Sequence, residues 1–146
     1  MTKLESDFEL WRLIGKVNHS ILLIRQRELR KHHIPVRQLH VLATIKDLDS
    51  KATLSELAKR VEREPNVMSK MTTVMENDGL IKRIKKTPKS NLLTLELTEK
   101  GRDLIKVSRQ SESIKGMFSS LSDAERQQLK SILDKVFIGT QKYNSI

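Results

Sequence analysis

The feature that most constrains this chain is its punctuation between residues 53 and 101. Thr53-Leu54-Ser55-Glu56 has the form of a capping box, in which a threonine and the glutamate three residues on satisfy each other's backbone N–H groups and start a helix. Leu54, Leu57, Ala58 and Val61 predict that this helix is short. Glu62-Arg63-Glu64 reads as a turn. Pro65 suits the first position of the next helix, where its missing N–H would have no partner in any case. In that helix Val67, Met71, Val74 and Met75 are expected to form one apolar face. Asn66, Ser69, Lys70 and Thr73 form another, and Gly79, after Asn77-Asp78, is the C-cap glycine. Leu80 to Ile84 then reads as a strand, and Lys85 to Asn91, with Pro88 inside, as a turn. Leu93, Leu95 and Leu97 alternate with Thr94 and Glu96, the pattern of a half-buried second strand.

The flanks are helical. Leu10, Ile14, Val17, Ile21 and Ile24 recur at helical spacing, with Leu13 and Leu23 widening the stripe, and the pattern runs to about Lys31. So long a helix in a small chain seldom buries its stripe on its own chain alone and often packs on a partner helix. Pro35 breaks it. Ile34 should be a joint, and Pro35 fits the first turn of a second helix carrying Val36, Leu39, Leu42, Ala43 and Ile45. Asp49-Ser50-Lys51 reads as a loop. After the hairpin, Thr98 is an N-cap. Leu104, Ile105, Ile114, Met117 and Phe118 follow, with a polar 106–113 stretch that fits a bend or a break. Ser122 and Glu125 form a second capping box before a stripe of Leu129, Ile132, Leu133, Val136 and Phe137. Gly139 is expected to end that helix, leaving a frayed tail through Ile146.

The sum is a mainly α fold: a winged helix-turn-helix with a β-hairpin wing, between N- and C-terminal dimerisation helices. Residues 1–34 are expected to be the first dimerisation helix, 35–98 the winged module, and 99–146 the C-terminal dimerisation helices of one intertwined domain.

Charge gives the module a partner. The 146 residues hold 28 Lys+Arg against 18 Asp+Glu, a net charge of +10. Half of that excess lies in residues 79–102, with seven basic and two acidic side chains. A basic balance of this size points to a polyanion, nucleic acid first. A major groove admits one α-helix, whose N-terminal residues reach the base edges. Asn66, Ser69, Lys70 and Thr73 supply the donors, acceptors and methyl such reading needs. Lys85, Lys86 and Lys89 at the hairpin tip, with Ser90, Thr53 and Arg37, are the expected wing and backbone contacts. An ordinary solvated helix surface is the plainer reading of that face, and the surrounding element order decides against it. The expected partner is double-stranded DNA, bound by a homodimer.

Other classes fall away. With no cysteine, disulfide scaffolds, Cys-ligated metals and thiol chemistry are excluded. The longest aliphatic run, Ile21-Leu22-Leu23-Ile24, is far below the about 20 residues a membrane helix needs. The acidic start of the chain has no secretory pattern, so a cytoplasmic location and no membrane partner are expected. His19, His32, His33 and His40 lack ligand-spaced partners, so no metal is expected. Met68, Met71 and Met75 read as core. There is no phosphate loop, nucleophile elbow or hydrolase histidine pair, so neither a cofactor nor an enzyme is expected.

In this order and spacing, four segments resemble the MarR family of bacterial and archaeal transcriptional regulators. They are Thr53-Leu54-Ser55-Glu56-Leu57-Ala58, Met75-Glu76-Asn77-Asp78-Gly79-Leu80-Ile81, Leu97-Thr98-Glu99-Lys100-Gly101 and Leu121-Ser122-Asp123-Ala124-Glu125. The resemblance spans about residues 8–140. It implies a homodimer with interlocking terminal helices, most often a repressor on an inverted-repeat operator, which a small phenolic or lipophilic ligand can release. It also implies an effector pocket near Trp11, Lys16, His19, Arg37 and His40. Family wings usually carry an Asp-x-Arg motif at the tip. Here Lys89-Ser90-Asn91 stands in its place, which implies phosphate-directed wing contacts through Lys86 and Lys89 rather than an inserted arginine. A non-specific architectural DNA binder is the alternative.

Overall fold

The computed structural model describes residues 2–144, so Ser145 and Ile146 of the expected tail lie outside the described residues. The chain divides into two compact units, residues 1–110 and 111–146.

In the first unit, α1 (Lys3–Leu29) opens on a capping box from Thr2 to Glu5 that the sequence reading did not use. Accepting the Thr2 backbone N–H holds the Glu5 carboxyl below its ordinary 4.5. A 3₁₀ turn, Arg30–His32, takes the place of the expected last α-helical turn, and His33 leaves it in the left-handed region at φ 55°. Pro35 stands as the extended N-cap of α2 (Val36–Asp47), one position before the expected site. Residues 51–53, read partly as loop, form a short strand, β1 (Lys51–Thr53). It is a strand because Lys51, Ala52 and Thr53 pair with Glu96, Leu95 and Thr94. Such pairing is non-local, so the three residues alone give no sign of it.

α3 (Leu54–Val61) starts from the Thr53–Glu56 capping box as expected. α4 (Pro65–Asn77) follows, with Pro65 in its first turn. β2 (Ile81–Lys85) and β3 (Leu93–Leu97) pair antiparallel, with Ile81 opposite Leu97 and Lys85 opposite Leu93. The sheet order is β1-β3-β2. α5 (Glu99–Ser108) closes the unit, capped by the Thr98 hydroxyl, which accepts from Gly101 N.

The core sits where α2, α3, α4, α5 and the sheet converge. Val41, Leu42, Ile45, Leu57, Met68 and Met75 are wholly buried there. Only the C-terminal part of α1 joins this core: Leu29 and Arg25 are buried, and Arg25 donates to Glu28 at 2.8 Å and to the Ser108 carbonyl at 3.3 Å. The rest of the α1 stripe, including Leu10, Trp11, Leu13, Ile14 and Val17, stays exposed.

The second unit holds α6 (Glu112–Met117) and α7 (Asp123–Gln141). The polar stretch after Ser108 is a break, since α6 begins afresh at Glu112. α7 starts from the Ser122–Glu125 capping box, which lowers the Glu125 carboxyl below its ordinary 4.5. It runs through Gly139 instead of ending there, because helical glycine is tolerated where other residues carry the turn. Ile132, Leu133, Val136, Phe137 and Ile138 on α7 are exposed.

Candidate nucleic-acid interface

The orientation of α4 decides what it can offer. Met68, Thr72 and Met75 are its buried residues, with Met71 packed at the margin of the core. Val67 and Val74, expected on the buried face, are instead 46% and 49% exposed. Both stripes fit a helical period, and they differ by one residue, about 100° of rotation. Packing against α3 and β2 selects the methionine stripe. The outward face therefore holds Asn66, Val67, Lys70, Thr73 and Val74 together, with Ser69 half-buried beside them. It is more apolar than the sequence reading implied.

Asn66 and Lys70 make no side-chain hydrogen bond or ion pair among the described residues, so their polar groups remain available. Thr73 is different. Its hydroxyl donates to the Ser69 carbonyl at 2.9 Å and accepts from Arg83 Nη2 at 2.9 Å. The proton is spent within the helix, leaving Thr73 a methyl and one lone pair to present. Arg83 was not among the expected site residues. It stood in the sequence as one more cation of a basic run, and the turn at Gly79 from α4 into β2 brings it against α4.

The exit of α4 is stapled to the start of α5. Gly79 takes φ +76°, which lets the chain turn sharply into β2. The Thr98 hydroxyl donates to the Gly79 carbonyl at 2.6 Å, and Lys100 Nζ donates to the Asp78 carbonyl at 2.7 Å. Thr98 N donates to the Leu80 carbonyl at 3.1 Å. Two of the motifs recognised in the sequence thus hold each other, and the helix end has few ways to move.

Lys85 ends β2, and Lys86 and Lys89 lie in the turn beyond it; all three are exposed. Ser90 shapes that turn: its N–H donates to Thr87 O at 3.0 Å and its Oγ accepts from Leu92 N at 3.1 Å. Thr53 is occupied as a cap. Its hydroxyl donates to Glu56 Oε1 at 2.9 Å and accepts from Glu56 N at 3.1 Å. Arg37 is exposed in the first turn of α2.

A cleft of about 840 Å³ opens between α1, α2 and the α3–α4 corner. Leu22, Ile34, Val41, Val61 and Met71 give it an apolar lining, and Arg30, His33, Arg37, His40 and Arg63 give it basic or titratable groups. Among the described residues no carboxylate lines it. Of the expected effector residues, His40 and Arg37 border this cleft. Trp11, Lys16 and His19 lie outside it, exposed on α1, and His40 is exposed on α2. Among the described residues no three His, Cys, Asp or Glu side chains gather to hold a metal. Among the described residues no helix is long and apolar enough to cross a membrane.

Residues 34–88 match the model of the MarR family. No curated protein matches the chain significantly. Among solved structures, the chain is similar to the organohalide-sensing RdhR transcriptional regulator with 2,4-dichlorophenol bound: 28% identity, TM-score 0.80, covering 96% of this chain and 86% of that one. A mutant MarR of E. coli complexed with operator DNA has 21% identity and TM-score 0.79, over 93% of this chain and 99% of that one. The S. aureus MepR–DNA complex has 23% identity and TM-score 0.73, over 88% and 94%. At those last two identities the likeness is one of fold. Through the family match and these neighbours, residues 34–88 form a MarR-family domain, and the chain carries the winged helix-turn-helix fold of that family's regulators.

Proposed function

We propose that this chain is a homodimeric, sequence-specific reader of duplex DNA, a cytoplasmic repressor acting on an inverted-repeat operator. The observation that carries the reading is α4 itself. It is fastened at its exit, it leaves Asn66 and Lys70 unengaged beside exposed Val67 and Val74, and it stands next to a hairpin tip bearing Lys85, Lys86 and Lys89. In a major groove Asn66 suits adenine, Lys70 suits guanine or a phosphate, and the valines suit thymine methyls. The wing lysines serve flanking phosphates. Ser90 and Thr53 act through the turn and the cap they form.

Residues 1–34 and 99–146 are the dimerisation segments in this reading, and 35–98 the DNA module. Its support is exposed apolar surface: Phe8, Trp11, Ile14 and Val17 on α1, and Leu133, Val136 and Phe137 on α7, an area a soluble chain rarely leaves uncovered. A two-fold dimer would set its reading helices about 34 Å apart, one turn of duplex. The cleft is the place for a releasing ligand. Its apolar lining and carboxylate-free basic rim suit a small amphiphile with an anionic head.

The test is competition. Protein bound to a selected duplex should resist about a 10³-fold excess of random duplex. Displacement by an equal mass of random duplex would favour the architectural alternative.

A further inference from the structure

We propose that Arg83 is a positioning residue for base recognition: its guanidinium locks Thr73 and joins the reading helix to the wing strand, so that both engage DNA as one rigid piece. The inference rests on the DNA-reading function above and adds a residue to it.

Five cations lie between residues 82 and 89. Lys82, Lys85, Lys86 and Lys89 are exposed, whereas Arg83 is half-buried and turned to the protein. It sits in the middle of β2, opposite Leu95. Its Nη2 donates to Thr73 Oγ1 at 2.9 Å and reaches Thr72 Oγ1 at 3.3 Å. Its backbone N–H donates to Glu76 Oε2 at 3.0 Å, and Nε lies 3.9 Å from Glu76 Oε1. Three side chains on adjacent turns of α4 thus converge on one strand residue. An arginine held between a carboxylate and two hydroxyls is a joint, since its planar fork fixes orientation as a lysine cannot.

The consequence for recognition lies in Thr73. Helical threonine divides between two χ1 rotamers, one of which bonds a preceding carbonyl. Here both threonine hydroxyls already donate to the Ser69 carbonyl, at 3.1 Å for Thr72 and 2.9 Å for Thr73. Donation from Arg83 occupies a lone pair on the same oxygen and holds that rotamer. Thr73 therefore meets DNA as a methyl group, with thymine as its match, and its preference depends on a residue that touches no base.

The test uses the full chain with Arg83→Gln, Arg83→Lys, Thr73→Val and the Arg83→Gln/Thr73→Val double variant. Base preference is read from a random duplex pool, together with operator affinity and its salt dependence. Arg83→Gln should lower operator affinity about tenfold, flatten preference only at the base pairs Thr73 governs, and leave the salt slope nearly unchanged. Arg83→Lys should fail to restore the preference. In the Thr73→Val background, Arg83→Gln should cost clearly less affinity than it does in the wild type, the remainder reporting the Thr72 and Glu76 contacts, since coupled residues are not additive. Uniform weakening on all duplexes with the slope lower by about 1 would overturn the proposal and make Arg83 a phosphate contact. Rescue by lysine, or full additivity, would overturn it as well. If Arg83→Gln does not fold, the lysine and valine variants carry the same comparison. If the wild type enriches no sequence, the DNA-reading function itself fails and the recognition role of Arg83 falls with it. Coupling between Arg83 and Thr73 in DNA-free melting then still reports whether the joint exists.

Discussion

Gly101→Ala should unseat the junction that fixes the reading helix. Gly101 is buried in the first turn of α5, and a Cβ placed there would lie 2.3 Å from the Leu80 carbonyl oxygen and 3.5 Å from Leu42 Cδ2. Real Cβ atoms do not approach an oxygen that closely, so the Leu80 peptide must shift. That peptide is not free, because its oxygen accepts from Thr98 N at 3.1 Å. Overpacking of this kind costs about 1–3 kcal/mol, and a weakened hydrogen bond adds about 1. Alanine returns about 1 kcal/mol of helix propensity. The net loss is about 2 kcal/mol, or about 4–8 °C in Tm for a chain of this size. The assay is thermal denaturation followed by circular dichroism, at fixed protein concentration because dimerisation would couple to it. Gly116→Ala is the control. It meets nothing within 4 Å and should be neutral or stabilising by up to about 1 kcal/mol. An unchanged or raised Tm for Gly101→Ala would refute the claim that the close approach of α5 to Leu80 holds this corner.

Other outcomes follow from the same structure. Gly79→Ala places a side chain at φ +76° and should cost about 1–2 kcal/mol in a denaturant titration, with Gly79→Asn milder. Lys86→Ala or Lys89→Ala should weaken all duplexes alike and lower the salt slope by about 1 each, whereas Asn66→Ala or Lys70→Ala should relax base preference at particular positions. Phe137→Glu, on the exposed stripe of α7, should shift the sedimentation profile from dimer toward monomer. For pH, Glu5 and Glu125 titrate below their ordinary value in the folded chain, so their contribution is present above the unfolded carboxyl range and is lost as pH falls through the folded one. Glu5→Gln with Glu125→Gln, which removes both titrating groups, should therefore flatten the acid limb of a stability profile relative to wild type.

Local chemistry was legible and non-local chemistry was not. Thr53, Pro65, Gly79, Thr98 and Ser122 each act through neighbours within a turn, and their roles could be read along the chain. β1 could not, because Lys51–Thr53 becomes a strand only by pairing with β3. Met68 and Met75 are core as the sequence indicates, but Val67 and Val74, expected beside Met75, are not; how far the buried stripe of α4 extends rests on what packs against it, which periodicity does not contain. The exposed polar groups at Asn66 and Lys70 were visible by residue type. The engagement of Thr73 and Arg83 depends on residues ten apart meeting across the turn from α4 into β2, and a basic run gives no sign of which cation turns inward. All five expected effector residues came from family resemblance alone; Arg37 and His40 border the cleft, and Trp11, Lys16 and His19 do not.

The measurement that tests the account most directly is selection of bound duplexes from a random pool by the purified full chain, at about physiological salt. The account predicts an enriched inverted repeat with half-site centres about 10 base pairs apart, one reading helix to each half. Strong binding with no enriched sequence, or enrichment of a single unrepeated site, would contradict a dimeric sequence reader.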